Sequence, residues 1–147
     1  MTRYWQSKKQ KTEKGTAMTE LAHAKSFRDL LVYKKSRVLA KEIFELSRGF
    51  PKEEMYSLTD QVRRCSRSIG AQIAEAWAKR RYERHFVSKL TDADGEQLET
   101  QHWIDTAEDC GYLSPSRAIS LDGQLGEIGR MLNSMMDKAA QFCSKED

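Results

Sequence analysis

Arg63 and Arg67 stand four residues apart and Arg64 and Arg67 three apart, a spacing that puts guanidiniums on one face of a helix. Lys79, Arg80, Arg81 and Arg84 crowd a second stretch, with Trp77 and Tyr82 beside them. Several cations on one surface neutralise a nucleic-acid backbone, release its counterions and hold it without reading its sequence. Trp77 or Tyr82 would add base stacking of roughly 1–3 kcal/mol per base. The two groups are expected to form one compact basic patch that binds nucleic acid. The competing expectation is that these charges only solvate a face or pair within the fold. Glu75 lies among small apolar residues. It is expected to be a structural carboxylate bonded to an arginine or to Ser68, because a buried charge needs a partner; the alternative is a polar functional site.

Other chemistry finds less support. Glu99-x-x-His102 has the spacing of a bundle metal site, but such a site needs the motif twice plus two more carboxylates, and no second copy exists. No metal or other cofactor is therefore expected. Cys65, Cys110 and Cys143 form no CxxC and are expected to be reduced, buried thiols in apolar helical stretches. There is no GxGxxG, P-loop or GxSxG, so no catalysis is expected. No apolar run reaches membrane-span length, and the basic N-terminus lacks the apolar core of a signal peptide. A cytosolic location away from membranes is the expectation.

The elements that must carry these residues are helices. A chain of 147 residues with 2 Pro, 8 Gly and 32% charged residues has the size of one domain and too few turn formers for a sandwich or barrel. Leu31, Val38, Leu39, Ile43 and Leu46 predict a first helix over 27–48, stopped by Gly49 and Pro51. Leu58, Val62, Cys65, Ile69, Ile73 and Ala76 predict a second, capped by Ser57 or Thr59, and Ser66, Gly70, Ala71 and Ala74 beside it would admit a close neighbour. A third runs from about Tyr82 to Cys110 through Phe86, Leu90, Ala93, Gln97, Leu98 and Ile104, with Gly111 as its stop. The fourth has a seam of Leu121, Leu125, Ile128, Leu132, Met135, Ala139 and Phe142, with Gly123, Gly126 and Gly129 alongside. Four amphipathic helices on short links predict an all-α, antiparallel up-and-down four-helix bundle over 26–147.

Charge is laid out unevenly along this plan. Residues 26–91 hold 15 basic and 8 acidic side chains, residues 92–147 only 4 basic and 12 acidic, within a net charge of +3. Residues 1–25 are polar and basic and read as a flexible arm, with Arg3, Tyr4, Trp5, Lys8, Lys9, Lys11 and Lys14 able to trail along phosphates. A second function follows from the same asymmetry. Head-to-tail contacts could join the basic part of one copy to the acidic part of the next, with Glu96, Glu99, Asp105, Glu108 and Asp109 opposite Arg80, Arg81 and Arg84. The protein would then be an assembly scaffold.

The segment DLLVYKKSRVLAKEIFELSRGFPKEEMYSLTDQVRRCSRSIGAQIAEA, with LETQ at Leu98–Gln101 and GYLS at Gly111–Ser114, resembles the four-helix-bundle family first associated with intervening sequences of bacterial 23S rRNA genes. The resemblance covers about Phe27 to Phe142. It departs at Gly70, where the family's usual run has Pro, and at Tyr33, where Trp is usual. It implies an up-and-down bundle that assembles into a homopentamer, and no catalysis. It also implies kinship with accessory proteins of diversity-generating retroelements, which bind nucleic acid and a reverse transcriptase.

Overall fold

The computed structural model describes residues 24–143, and these are helical with no strand among them. The chain enters through a single 3-10 turn, Phe27–Asp29. The Ser26 hydroxyl accepts from the Arg28 amide at 3.2 Å, and the Asp29 carboxylate accepts from the amides of Lys25 at 2.8 Å and Ser26 at 3.1 Å. Those backbone bonds hold the Asp29 carboxyl below its usual range. Leu30 is extended and buried, so the expected first helix divides there, and α1 is Leu31–Ser47.

Gly49 and Pro51 end α1 as expected, but no side chain caps the next helix. The chain coils through a turn at Lys52–Glu54 and a wide π-type turn at Met55–Thr59 directly into α2, Asp60–Ala78. The Asp60 amide bonds the Met55 carbonyl, so that turn supplies an acceptor at the helix start. Ser57 instead donates to Glu54 at 3.0 Å.

Helix α3, Glu83–Asp109, runs 27 residues. It stops at Gly111, whose φ of 77° puts it in the left-handed region. The Gly111 amide bonds Glu108 and the Tyr112 amide bonds Ala107, both at 2.9 Å, the reversal in which glycine avoids a Cβ penalty. Gly111→Ala is expected to cost about 1 kcal/mol, read as a lower urea midpoint with unchanged slope. Pro115 is the first residue of α4, Pro115–Asp137, behind Ser114, which accepts from the Arg117 amide at 3.2 Å. The expected fourth helix therefore starts earlier. It also breaks at Lys138 (φ −109°, ψ 26°), and a short α5, Ala139–Phe142, carries the end of the seam.

Helix α2 packs along α3, α3 along α4, and α1 lies on both α2 and α4. Cross-helix contacts set the register. Ser47 meets Arg63 while Ser36 faces Gly70; Cys65 meets Thr100 while Glu75 meets Lys89; Thr91 meets Met136 while Gln97 faces Gly129. Lys35 pairs with Glu127, and Glu42 with Arg117 and Gln124.

The predicted seams of α2 and of α4 with α5 are buried throughout, and Phe142 stacks on Phe86 at 5.7 Å. Two expected core residues face outward instead, Val38 at 65% exposure and Leu98 at 56%. In α1 the inward stripe is Val32, Ser36, Leu39, Ile43 and Ser47. Two small hydroxyls replace apolar groups there, which the hydrophobic spacing could not show. Their protons are satisfied locally, Ser36 donating to the Tyr33 carbonyl at 2.6 Å and Ser47 to that of Phe44 at 3.0 Å. The three thiols are free, but only Cys65 is buried; Cys110 is exposed and Cys143 half-buried because they lie at helix ends. Burial pushes the Cys65 thiol up to about 11.

Candidate nucleic-acid interface

The first arginine group lies where α2 packs on α1. Arg63 Nε donates to the buried Ser47 hydroxyl at 2.7 Å, and its guanidinium carbon sits 4.8 Å from the Phe44 ring centroid. Arg67 approaches the same ring at 5.5 Å and Arg48 at 5.7 Å, so one phenyl ring on α1 gathers three cations. Arg63, Arg64, Arg67 and Ser68 line a hollow of about 510 Å³ together with Asp60 and Ala71. It adjoins, at Arg67 and Ala71, a larger trough of about 690 Å³ between α1 and α2.

Arg37 and Lys41 of α1 also line that trough, and Arg37 donates to the Tyr33 hydroxyl at 3.2 Å. The sequence reading missed them. Their signal was present in the run Tyr33, Arg37, Lys41, Phe44, Arg48, spaced four, four, three and four, which places aromatics and cations on one stripe. What hid it was the partner helix, since the stripe becomes a surface with Arg63 and Arg67 only after α1 and α2 pack.

The second group occupies the link between α2 and α3 and does not join the first. At 1.5 Å rise per residue, Arg67 and Lys79 are on the order of 20 Å apart along the helix, so the expected single patch is two. Arg80 lies flat on Trp77, 3.5 Å from its centroid, and donates Nε to the Trp77 carbonyl at 2.9 Å. Burial draws its guanidinium down from the usual value. Arg80 thereby closes the end of α2 and covers one face of Trp77. Tyr82 is 47% exposed, with Arg81 5.9 Å from its ring and His85 5.3 Å away. Lys79, Arg81 and Arg84 point to solvent.

Glu75 has neither of its expected partners. It is exposed and pairs with Lys89 of α3 at 2.7 Å, while Ser68 belongs to the arginine hollow. The Lys89 ammonium holds the Glu75 carboxyl below its usual range. The pair bridges α2 to α3 on the surface, so the reason to expect a buried partner does not apply. Glu99 accepts from Trp103 Nε1 at 3.3 Å and His102 lies against the Trp103 ring at 4.8 Å. Among the described residues no group of three or more His, Cys, Asp or Glu is arranged to hold a metal ion. No helix among them is long and apolar enough to cross a membrane.

The acidic side of the molecule has its own feature. Asp122 of α4 faces Asp105 and Glu108 of α3, and its Oδ1 is buried with no hydrogen-bond donor. Burial, then the neighbouring Asp105, push the Asp122 carboxyl up to about 6. Glu96 is raised too, by burial and then by Glu99. Among the described residues no ion pair joins Glu96, Glu99, Asp105, Glu108 or Asp109 to Arg80, Arg81 or Arg84. The basic arm over 1–25 lies almost wholly outside the described residues.

Comparison with known proteins places this arrangement. The family model of the 23S rRNA-intervening sequence protein matches residues 28–134. Among solved structures, the chain is similar to a protein of unknown function of the S23 ribosomal protein family from Bacteroides thetaiotaomicron. The two are 28% identical with a TM-score of 0.66, over 73% of this chain and 96% of that one. No curated protein matches the chain.

Proposed function

Because the chain belongs to the 23S rRNA-intervening sequence protein family, we propose that it is a non-enzymatic bundle whose α1–α2 face holds nucleic acid by its phosphate backbone. The observation that carries this is a lack of internal neutralisation. Of Arg37, Lys41, Arg48, Arg63, Arg64 and Arg67, only Arg48 has a carboxylate in ion-pair range among the described residues, Glu45 at 3.4 Å. Unpaired guanidiniums held in place by Ser47 and Phe44 suit a polyanion, and Arg presents a planar donor fork that fits phosphate oxygens. The exposed Lys79, Arg81 and Arg84 would extend the path, with Tyr82 as the stacking group.

The architecture proposed for this role is an antiparallel up-and-down four-helix bundle over 26–147. Between neighbouring helices the contacting residue numbers fall on one as they rise on the other, which supports that topology. The same reading makes the protein a cytoplasmic homo-oligomer, a pentamer by family likeness, that serves a reverse transcriptase or an rRNA element as accessory factor. The basic arm over 1–25 would add further phosphate contacts.

The test is the triple change Arg63→Gln, Arg64→Gln, Arg67→Gln in a filter-binding assay with a generic oligonucleotide at two salt concentrations. Wild-type affinity should fall steeply with salt, and the variant should bind more weakly with a slope reduced by about two to three. Unchanged affinity would sink the site.

A second reading, an assembly scaffold, draws on the acidic α3 and the exposed Leu98. It expects subunits to separate as salt rises while no nucleic acid binds at low salt.

A further inference from the structure

The trough between α1 and α2 is more than a set of phosphate contacts. It is cationic on both helices, with Arg37 and Lys41 from α1 and Arg67 from α2, while the rest of its lining is apolar or aromatic apart from Ser36 and Ser66. Phe44 lies within 5.7 Å of three guanidiniums, Tyr33 meets Phe27 edge-on at 4.9 Å, and Val38 stands 65% exposed beside them. Ala71 is open to solvent along the same lane. A duplex keeps its base faces stacked inside and presents phosphates, sugars and base edges, so it has no free π face to lay on this apolar lining. A single strand offers both phosphates and free π faces, and unpaired bases stack on aromatic rings and on the planes of Arg side chains. The trough measures about 690 Å³, room for a nucleotide to lie in it.

We propose that the α1–α2 trough takes single-stranded nucleic acid, with bases laid against Tyr33, Phe44 and Val38 and the backbone on Arg37, Lys41 and Arg67. This rests on the nucleic-acid reading above and narrows it to unpaired strands. It assigns Tyr33, Arg37, Val38, Lys41 and Phe44 a ligand-binding role. An acidic amphipathic helix of a protein partner would meet the same charges. It would gain less from guanidinium planes gathered on a phenyl ring, which is the feature that favours bases.

The experiment measures fluorescence anisotropy of the full chain with a labelled 12-nucleotide strand, and with the duplex of the same sequence, at matched low salt. The single strand is expected to bind about tenfold more tightly. Phe44→Leu, which keeps every charge, should remove that preference while leaving duplex affinity unchanged. Val38→Glu, at a site exposed enough to spare the fold, should weaken the single strand about tenfold. Equal affinity for strand and duplex, with both lost in the triple arginine variant, overturns the trough proposal but keeps phosphate binding. Binding of neither at low salt overturns both. Val38→Glu with unaltered single-strand affinity, or an acidic helical peptide that displaces the strand from wild type, also overturns the assignment.

Discussion

Asp122→Asn is expected to raise the melting temperature at pH 7 to 8 and to change it little at pH 4. In the folded chain Asp122 titrates near 6, mainly through burial and next through Asp105 opposite it on α3. When both carboxylates are ionised neither has a donor to offer, and the buried Asp122 Oδ1 lacks a partner. One shared proton turns the contact into a hydrogen bond. The sign follows directly. A carboxyl whose folded value lies above its ordinary 3.8 holds its proton more tightly in the folded state. Its stabilising contribution is complete below the ordinary value and is lost as the pH climbs toward 6. Asn supplies a permanent donor and removes that loss. Because the group is only half-buried, solvent screening reduces the full shift, and the gain at neutral pH should be about 1 kcal/mol, or about 3 °C. Thermal melts of both proteins from pH 4 to 8 test this. Parallel profiles would show that the pair carries no shared proton.

The opposite effect is expected from Gly129→Val. A Cβ at Gly129 would lie 2.7 Å from Gln97 Nε2, 3.2 Å from Asp94 Oδ1 and 3.3 Å from Gln97 Cδ. Gln97 is buried, donates to Asp94 at 2.9 Å and accepts from Gln101 at 2.8 Å. It cannot swing away without breaking a polar chain wedged between α3 and α4. The valine methyls add bulk beyond the Cβ and stiffness at χ1. The loss should be about 2–3 kcal/mol. Gly123→Ala is the matched control, since nothing lies within 4 Å of its new methyl, and it should gain up to about 1 kcal/mol from helix propensity. If both substitutions shift the urea midpoint in the same direction, α4 does not approach α3 as described.

That contrast marks how far the amino-acid order could be read. The three glycines of α4 look alike in sequence, yet only Gly129 faces a crowded neighbour, because crowding depends on what α3 presents at Asp94 and Gln97. The stripes of α2 and α4 were legible because every fourth or third residue is apolar and a helix must bury that line. Val38 and Leu98 misled for the same reason. Val38 sits beside Leu39, and Leu98 is the one large apolar residue in the polar run 94–102, yet each rotates outward once the true stripe of its helix turns inward. The caps were partly legible, since Gly111 reads as a stop from its type alone. The start of α2 did not, because a wide turn does the work of a side chain. At the candidate interface Arg63, Arg64 and Arg67 stood out by spacing. Their neighbours Arg37, Lys41 and Phe44 needed the packed helices, and the separation from Arg80 needed the length of α2. The facing of Asp105 and Asp122 is invisible from spacing alone, being a contact between two helices across a turn.

The short α5 has a consequence for how the protein is made. Phe86, near the start of α3, is sealed by Phe142 from the far side of the break at Lys138. Chains emerge from the ribosome N-terminus first and tend to fold in that order. The aromatic face at this end therefore stays wet until residue 142 has left the ribosome, so α3 can coil early but cannot be sealed early. A nascent chain halted before that point carries an exposed phenyl ring that a chaperone or a protease would recognise. The short α5 thus sets the moment at which Phe86 is covered.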